Sequence, residues 1–466
     1  MLFRDYLEIP CGVRFMFDSL QLLSSCGRNR LLSSSLMVSK DEIEGAIFLL
    51  KGSYEKLYKD VTPQTSSELA ALKHRLMCLR EIEGTLQRLE KDVVLDDIDL
   101  FEIKYASLLA GYVRAGVENL GLEGVDIPNL TDVVKILDPD GMNIESFYVY
   151  DSYSKELGRI RAEIRPLQAP DMAGKQSDRL LELLEKERLL ERDIREELSK
   201  KLKRRSPEIR SAINAMGDLD ILLAKCLQVK TMGLCFATVS DDGITEYKGM
   251  FHPHIVEIYR SLAERYSSKA KEFTPIDISF GRESVTIIGA NMGGKSVVLK
   301  MCALNQLLFQ FGFGVAAKEG KIDIKEEIKV CIGDEQSETE GLSSFAGEVR
   351  AIERVLESVR EGKCILALID EPARTTNPIE GTALVAALLN ILRDKNISAV
   401  MTTHYNVPGD FFRRLRVRGL KEGKMDYRLV PTSEGEIPHE AINVARSLGV
   451  DPQWLSEAEK ILGEDN

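Results

Sequence analysis

Gly289-Ala290-Asn291-Met292-Gly293-Gly294-Lys295-Ser296 follows the pattern G-x-x-x-x-G-K-[ST], and its flanks supply the context that pattern needs. Ahead of it, Ser284-Val285-Thr286-Ile287-Ile288 reads as a buried strand; behind it, Val297 to Leu304 reads as a helix. Strand, glycine loop and helix bring backbone N–H groups and a helix N-terminus together on phosphate oxygens. Glycine lets the backbone come close to the phosphates and take positive φ. The spacing assigns Lys295 to the β- and γ-phosphates and the Ser296 hydroxyl to Mg²⁺. The alternative is a glycine turn in an unrelated α/β domain, and the flanking strand and helix weigh against it.

Downstream, Cys364-Ile365-Leu366-Ala367-Leu368-Ile369-Asp370-Glu371 is an apolar strand ending in Asp-Glu, a Walker B pattern. Its end places Asp370 beside the phosphates, where a carboxylate holds Mg²⁺ through water, and Glu371 where it can orient or deprotonate the attacking water. Ala399-Val400-Met401-Thr402-Thr403-His404 reads as a further buried strand ending in histidine. A lone histidine is more often structural; after a Walker B strand, His404 stands where ABC-type ATPases place a γ-phosphate sensor. Between these strands, Gly341-Leu342-Ser343-Ser344 leads into a helix and offers another phosphate-binding N-terminus. In isolation that is only a helix cap; in a head-to-tail dimer Ser343 would reach the partner's γ-phosphate.

Around this block the chain changes character. Of its 466 residues, 44% are hydrophobic and 29% charged, enough to bury a core over two to four domains. A net charge of −12 counts against strong nucleic-acid binding, which draws its affinity from basic residues. Before residue 231 the pattern is helical. It opens on the capping box Ser39/Glu42 and continues through Leu69–Leu95, Phe101–Leu120, Ser177 to about Arg205, and Ile209–Gln228. The charged face of the Ser177–Arg205 stretch reads as a solvated surface or, alternatively, a coiled-coil arm or a nucleic-acid contact, and Lys200-Lys201-Leu202-Lys203-Arg204-Arg205 at its end is the strongest basic run. From 231 to about 404, strands alternate with helices, the signature of a parallel sheet covered on both faces. The eight cysteines lie far apart without a CxxC pair, as expected of reduced thiols, and no run reaches membrane-spanning length. A cytoplasmic location is expected.

Together these pieces resemble the MutS family of ABC-type ATPases, whose phosphate loop reads G-P-N-M-G-G-K-S. The resemblance extends to His252-Pro253-His254-Ile255-Val256-Glu257, to Thr403-His404-Tyr405, and to two further segments. These are Gly27-Arg28-Asn29-Arg30-Leu31-Leu32, which opens the helical core, and Asp218-Leu219-Asp220-Ile221-Leu222-Leu223-Ala224, which closes it. The resemblance implies an α/β P-loop ATPase domain preceded by a mainly α-helical lever and clamp region. It implies ATP and Mg²⁺ as cofactors and a homodimer or heterodimer across two composite sites. It adds Phe273 as the ring on adenine and Arg374 as a link between the two sites.

The expected domains are 1–38 leading into the core, 39–230 a helical lever with a clamp-like insertion around 120–208, 231–438 the ATPase, and 439–466 a dimerising helix–turn–helix. Departures are also plain. The mismatch-reading and connector domains and the endonuclease tail of the second MutS branch are expected to be lacking. The family's D-E-x-G-R-G-T-S-T is here Asp370-Glu371-Pro372-Ala373-Arg374-Thr375-Thr376-Asn377-Pro378, where Arg374, Thr376 and Gly381 fit. This variant resembles the MutS-like ATPase subunit of reactivases for lysine 5,6- or ornithine aminomutases. That resemblance implies a cobalamin-dependent aminomutase as protein client. An ATP-gated clamp on mismatched or branched DNA is the alternative, disfavoured by charge.

Overall fold

The computed structural model describes residues 1–168, 177–266, 273–289, 294–333, 344–374, 376–393, 395–421, 424–433, 442, 445–446 and 449–464. The chain divides into two compact units. One comprises residues 21–33 and 52–226, the other residues 1–20, 34–51 and 227–466.

The first unit is helical. Its elements include Ser25–Ser33, Pro63–Met77, Glu83–Glu90, Asp97–Leu120, Lys155–Leu167 and Ser177–Lys203, then Ser206–Met232 as far as Cys226. The helical pattern over 69–95 is carried by two helices, Pro63–Met77 and Glu83–Glu90, and the interruption at 78–82 carries no glycine or proline to announce it. The 24-residue helix Asp97–Leu120 begins four residues before the expected Phe101. Asp96 and Asp99 close a reciprocal capping box there, and Gly121 ends the helix with φ +60. Helix Ser177–Lys203 ends just ahead of Pro207, which lies in the first turn of the next helix, where its missing N–H costs nothing.

Two segments nearly two hundred residues apart clasp this unit. Asp220, fully buried, accepts hydrogen bonds from the Leu23 amide (2.9 Å), the Ser24 amide (2.8 Å) and the Ser24 hydroxyl (2.6 Å). It thereby satisfies donors at the start of the Ser25–Ser33 helix, where a negative charge also meets the positive end of the helix dipole. Beside it, Arg30 makes a forked pair with Asp218 at 2.7 and 2.6 Å.

The second unit is α/β. Its strands in chain order are β1 Thr238–Val239, β2 Thr245–Met250, β3 Ile276–Phe280, β4 Ser284–Ile288, β5 Glu319–Ile322, β6 Glu327–Cys331, β7 Ile365–Ile369, β8 Ile397–Thr402, β9 Arg413–Lys421 and β10 Lys424–Pro431. They form a six-stranded sheet, order β10-β9-β4-β8-β7-β6, parallel except for the edge strand β10. A separate four-stranded sheet, order β1-β5-β2-β3, is mostly antiparallel and was not foreseen from the alternation. In the large sheet, alternate residues of β7 and β8 (Ile365, Ala367, Ile369; Ile397, Ala399, Met401) share a core with Val355 and with Val385, Leu388 and Leu389 of helix Pro378–Leu392. The intervening Leu366, Leu368 and Val400 are equally buried, so both faces are covered, as near-continuous apolar strands require. Helix Lys295–Gln310 is buried almost all round.

All eight cysteines are unpaired. Among the described residues no helix is long and apolar enough to cross a membrane. Asp220→Ala should lower the stability of the helical unit by about 3 kcal/mol, since it orphans several buried donors at once; the loss is read from the denaturation midpoint followed by helical signal.

Candidate functional site

The register of the large sheet assembles the site. Ile287 of β4 lies opposite Thr402 of β8, and Ile369 of β7 opposite Met401. The glycine loop after β4, Asp370 after β7 and His404 after β8 therefore leave one edge of the sheet, the carboxyl edge where parallel sheets bind ligands.

Of the loop, Gly289, Gly294, Lys295 and Ser296 are described; Ala290, Asn291, Met292 and Gly293 lie outside the described residues, as does Ser343. Gly294 is the N-cap of helix Lys295–Gln310 with φ +77. A side chain there would be strained and would also meet the ring of Tyr427 on β10 at 3.0 Å. Lys295, 4% exposed, donates to the Gly289 carbonyl at 2.7 Å and pairs with Glu371 at 3.1 Å. Ser296 follows it on the helix and is partly buried.

Asp370 and Glu371 sit at the end of β7, and both are tied to β8. The Thr402 hydroxyl donates to Asp370 at 2.5 Å and accepts the Glu371 amide at 2.9 Å. The turn beyond them is unusual. Glu371 has φ +41 and Ala373 φ +61, both left-handed without being glycine. Such residues cost about 1 kcal/mol each relative to right-handed backbone. Ala373 stands where the MutS pattern has glycine, and the turn keeps the glycine-like conformation regardless. Tyr405 supports it: buried, its hydroxyl donates to the Ala373 carbonyl at 2.7 Å. Gly381 makes room for this, since a side chain there would meet the Tyr405 hydroxyl at 2.3 Å.

His404 is exposed and packs against the Tyr405 ring, centroids 4.1 Å apart. Partial desolvation holds its pKa below the ordinary histidine value; Glu371 raises it, while Lys295 and Arg374 lower it further. At neutral pH it is therefore an uncharged imidazole. Arg374 is exposed on the turn, its amide bonded to the Glu371 carbonyl at 3.3 Å. Phe273 is partly buried just ahead of β3. Thr402 and Tyr427 escaped the reading of the sequence, and Tyr405 entered it only as part of Thr403-His404-Tyr405. The only signal for the first was a hydroxyl pair, Thr402-Thr403, at the end of an otherwise apolar strand.

The donor set suits Mg²⁺: a serine hydroxyl and a carboxylate are hard oxygen ligands. Among the described residues no group of three or more His, Cys, Asp or Glu could hold a metal. A metal here would thus complete its shell from phosphate and water, as Mg²⁺ does in nucleotide sites.

Four of the five cations in the basic run Lys200–Arg205 sit beside carboxylates. Lys200 pairs with Glu196 at 2.6 Å, Lys201 with Glu197 at 2.7 Å, Lys203 with Asp92 at 2.6 Å and Arg205 with Glu208 at 2.9 Å. These pairs are solvent-exposed, which is consistent with a solvated face.

Residues 285–415 match the family model for MutS domain V, a span from β4 into β9 that takes in Asp370, Glu371 and His404. The chain is similar to Endonuclease MutS2 of Carboxydothermus hydrogenoformans, 30% identical over 295 residues, covering 61% of this chain and 35% of that protein. Endonuclease MutS2 of Caldanaerobacter subterraneus subsp. tengcongensis is 29% identical over 312 residues, covering 64% and 36%. That of Fusobacterium nucleatum subsp. nucleatum is 30% identical over 260 residues, covering 53% and 31%. The chain thus spans about a third of the length of these relatives.

Two outcomes follow. Ala373→Gly should stabilise the α/β unit by about 1 kcal/mol through relief of left-handed strain, measured as a raised denaturation midpoint. The His404 imidazole should titrate by NMR below 6.5, the ordinary histidine value; replacing Lys295 with Met should move that midpoint up, and replacing Glu371 with Gln should move it down.

Proposed function

We propose that this chain, whose matches support membership in the MutS family, binds ATP with Mg²⁺ and hydrolyses it. The observation that carries the reading is the Lys295–Glu371 pair, 3.1 Å, at the end of a glycine loop with Asp370 alongside. Each partner holds the other's charge in check. A phosphate competing for Lys295 frees Glu371, so nucleotide entry itself would release the base. When bound, Mg²⁺ would neutralise phosphate charge in the transition state. Asp370 and Ser296 would hold it, Lys295 would cradle the β- and γ-phosphates, and Glu371 would take a proton from the attacking water. His404, uncharged, would hydrogen-bond the γ-phosphate. Ser343 would act across a dimer on the partner's nucleotide, Phe273 would stack on adenine, and Arg374 would link the two sites. Residues 439–466 would serve dimerisation, and residues 39–230 would carry the cycle to a macromolecular partner.

For that partner we favour a protein client, such as a cobalamin-dependent aminomutase. The reading is supported by the Asp370–Pro378 variant sequence, the net charge of −12 and the carboxylates beside Lys200, Lys201 and Lys203. The name of the matched relatives, Endonuclease MutS2, favours a second reading in which the partner is DNA.

Glu371→Gln should abolish single-turnover hydrolysis while retaining ATP binding, with affinity unchanged or raised by about threefold as a competing charge is removed from Lys295. Unchanged turnover would remove Glu371 from the role of base. Fluorescence anisotropy with homoduplex, mismatched, looped and four-way-junction DNA should show no nucleotide-dependent binding at physiological salt. Binding that survives that salt would establish the DNA reading instead.

A further inference from the structure

We propose that Thr402 and Tyr405 are positioning residues that clamp the Asp370–Ala373 turn at two points and so set the geometry of hydrolysis. The inference rests on the ATPase reading above.

Two of the four non-glycine residues with positive φ recorded in the described chain, Glu371 and Ala373, fall in this one turn. Backbone of this kind persists only where its surroundings over-determine it. Both constraints come from the segment that ends β8. Thr402, with no exposed surface, uses its hydroxyl twice: the proton goes to Asp370 Oδ1 at 2.5 Å, and the lone pair accepts the Glu371 amide at 2.9 Å. One hydroxyl proton allows one donation, so the direction of both bonds is set. Thr402 thereby aims the carboxylate at the metal position and pins the first left-handed residue. Tyr405 pins the second. Its hydroxyl meets the Ala373 carbonyl at 2.7 Å, and its own amide is held by the Thr403 hydroxyl at 3.0 Å. Thr402 bonds Asp370 and Glu371, while Tyr405 bonds Ala373 and also packs against the His404 ring, centroids 4.1 Å apart. They act through Asp370, Glu371 and Ala373, which the parallel register of β7 and β8 keeps within reach.

The test uses the full chain and the substitutions Thr402→Val, Thr402→Ser and Tyr405→Phe. Thr402→Val keeps the shape and removes the hydroxyl; it should lower kcat by about 100-fold and Tyr405→Phe by about 10-fold, on the scale that small misplacements of catalytic groups cost. The Kd for a fluorescent ADP analogue should stay within about threefold, because Lys295 and the glycine loop are untouched. Thr402→Ser should restore turnover. Adding Ala373→Gly should rescue part of the loss in Tyr405→Phe, because it removes the strain that Tyr405 holds. Amide hydrogen exchange over residues 370–374 provides a readout without nucleotide. It should quicken in Thr402→Val and Tyr405→Phe at unchanged global melting temperature. Wild-type turnover and wild-type exchange in both variants would overturn the clamp. A wild-type chain that fails to hydrolyse ATP would sink the ATPase reading, while exchange over the turn would still decide the clamp.

Discussion

The parallel pairing of β8 between β4 and β7 is the constraint on which the candidate site depends. It brings three chain segments, separated by some eighty and thirty residues, to one sheet edge with their ends level: Ile287 against Thr402, Met401 against Ile369. Slip either register by one residue and the inward and outward side chains exchange faces. Asp370 would then lose Thr402, and Lys295 would lose Glu371. The register is protected because both faces of β7 and β8 are buried, so any slip would expose apolar surface or bury a polar group.

Within that frame the site is a set of mutually restrained charges. Lys295 is nearly fully buried yet satisfied by one carbonyl and one carboxylate, as a buried ammonium must be. Asp370 takes a proton donor from β8, and Glu371 is anchored by its backbone while its side chain remains available to Lys295. Strain in the turn is accepted where the chain needs two carboxylates on successive residues to point to different tasks. The turn also explains how a sequence that departs from the family glycine at Ala373 retains its shape, with Tyr405 and Gly381 fitted around it.

The helical unit obeys a separate economy. Its clasp, Asp220 on the start of the Ser25–Ser33 helix and Arg30 on Asp218, joins the two segments that carry its resemblance to MutS proteins. Elsewhere its charges are largely consumed in pairs along and between helices, including the run that read as the most basic part of the chain. A sequence count of lysines and arginines cannot see this, because pairing depends on which carboxylates the fold places beside them.

The strand and helix that flank the glycine run, the Asp-Glu strand and the strand before His404 were legible because each depends on local chemistry: apolar runs, glycine spacing and a polar residue at a strand end. The parallel α/β class followed from the alternation of those runs. The small sheet was not legible, since β1 and β5 are short and pair across distant sequence. Nor were Thr402 and Tyr405, which read as an ordinary strand residue and a motif tyrosine. Their roles exist only after register sets them against Asp370 and Ala373. The sequence by itself determined which apolar strands end in residues suited to phosphate and proton chemistry, since that follows from functional groups and short spacings. Only the tertiary structure decided how those groups restrain one another and which charges remain free, because those outcomes turn on distances of about 3 Å between residues far apart in the chain.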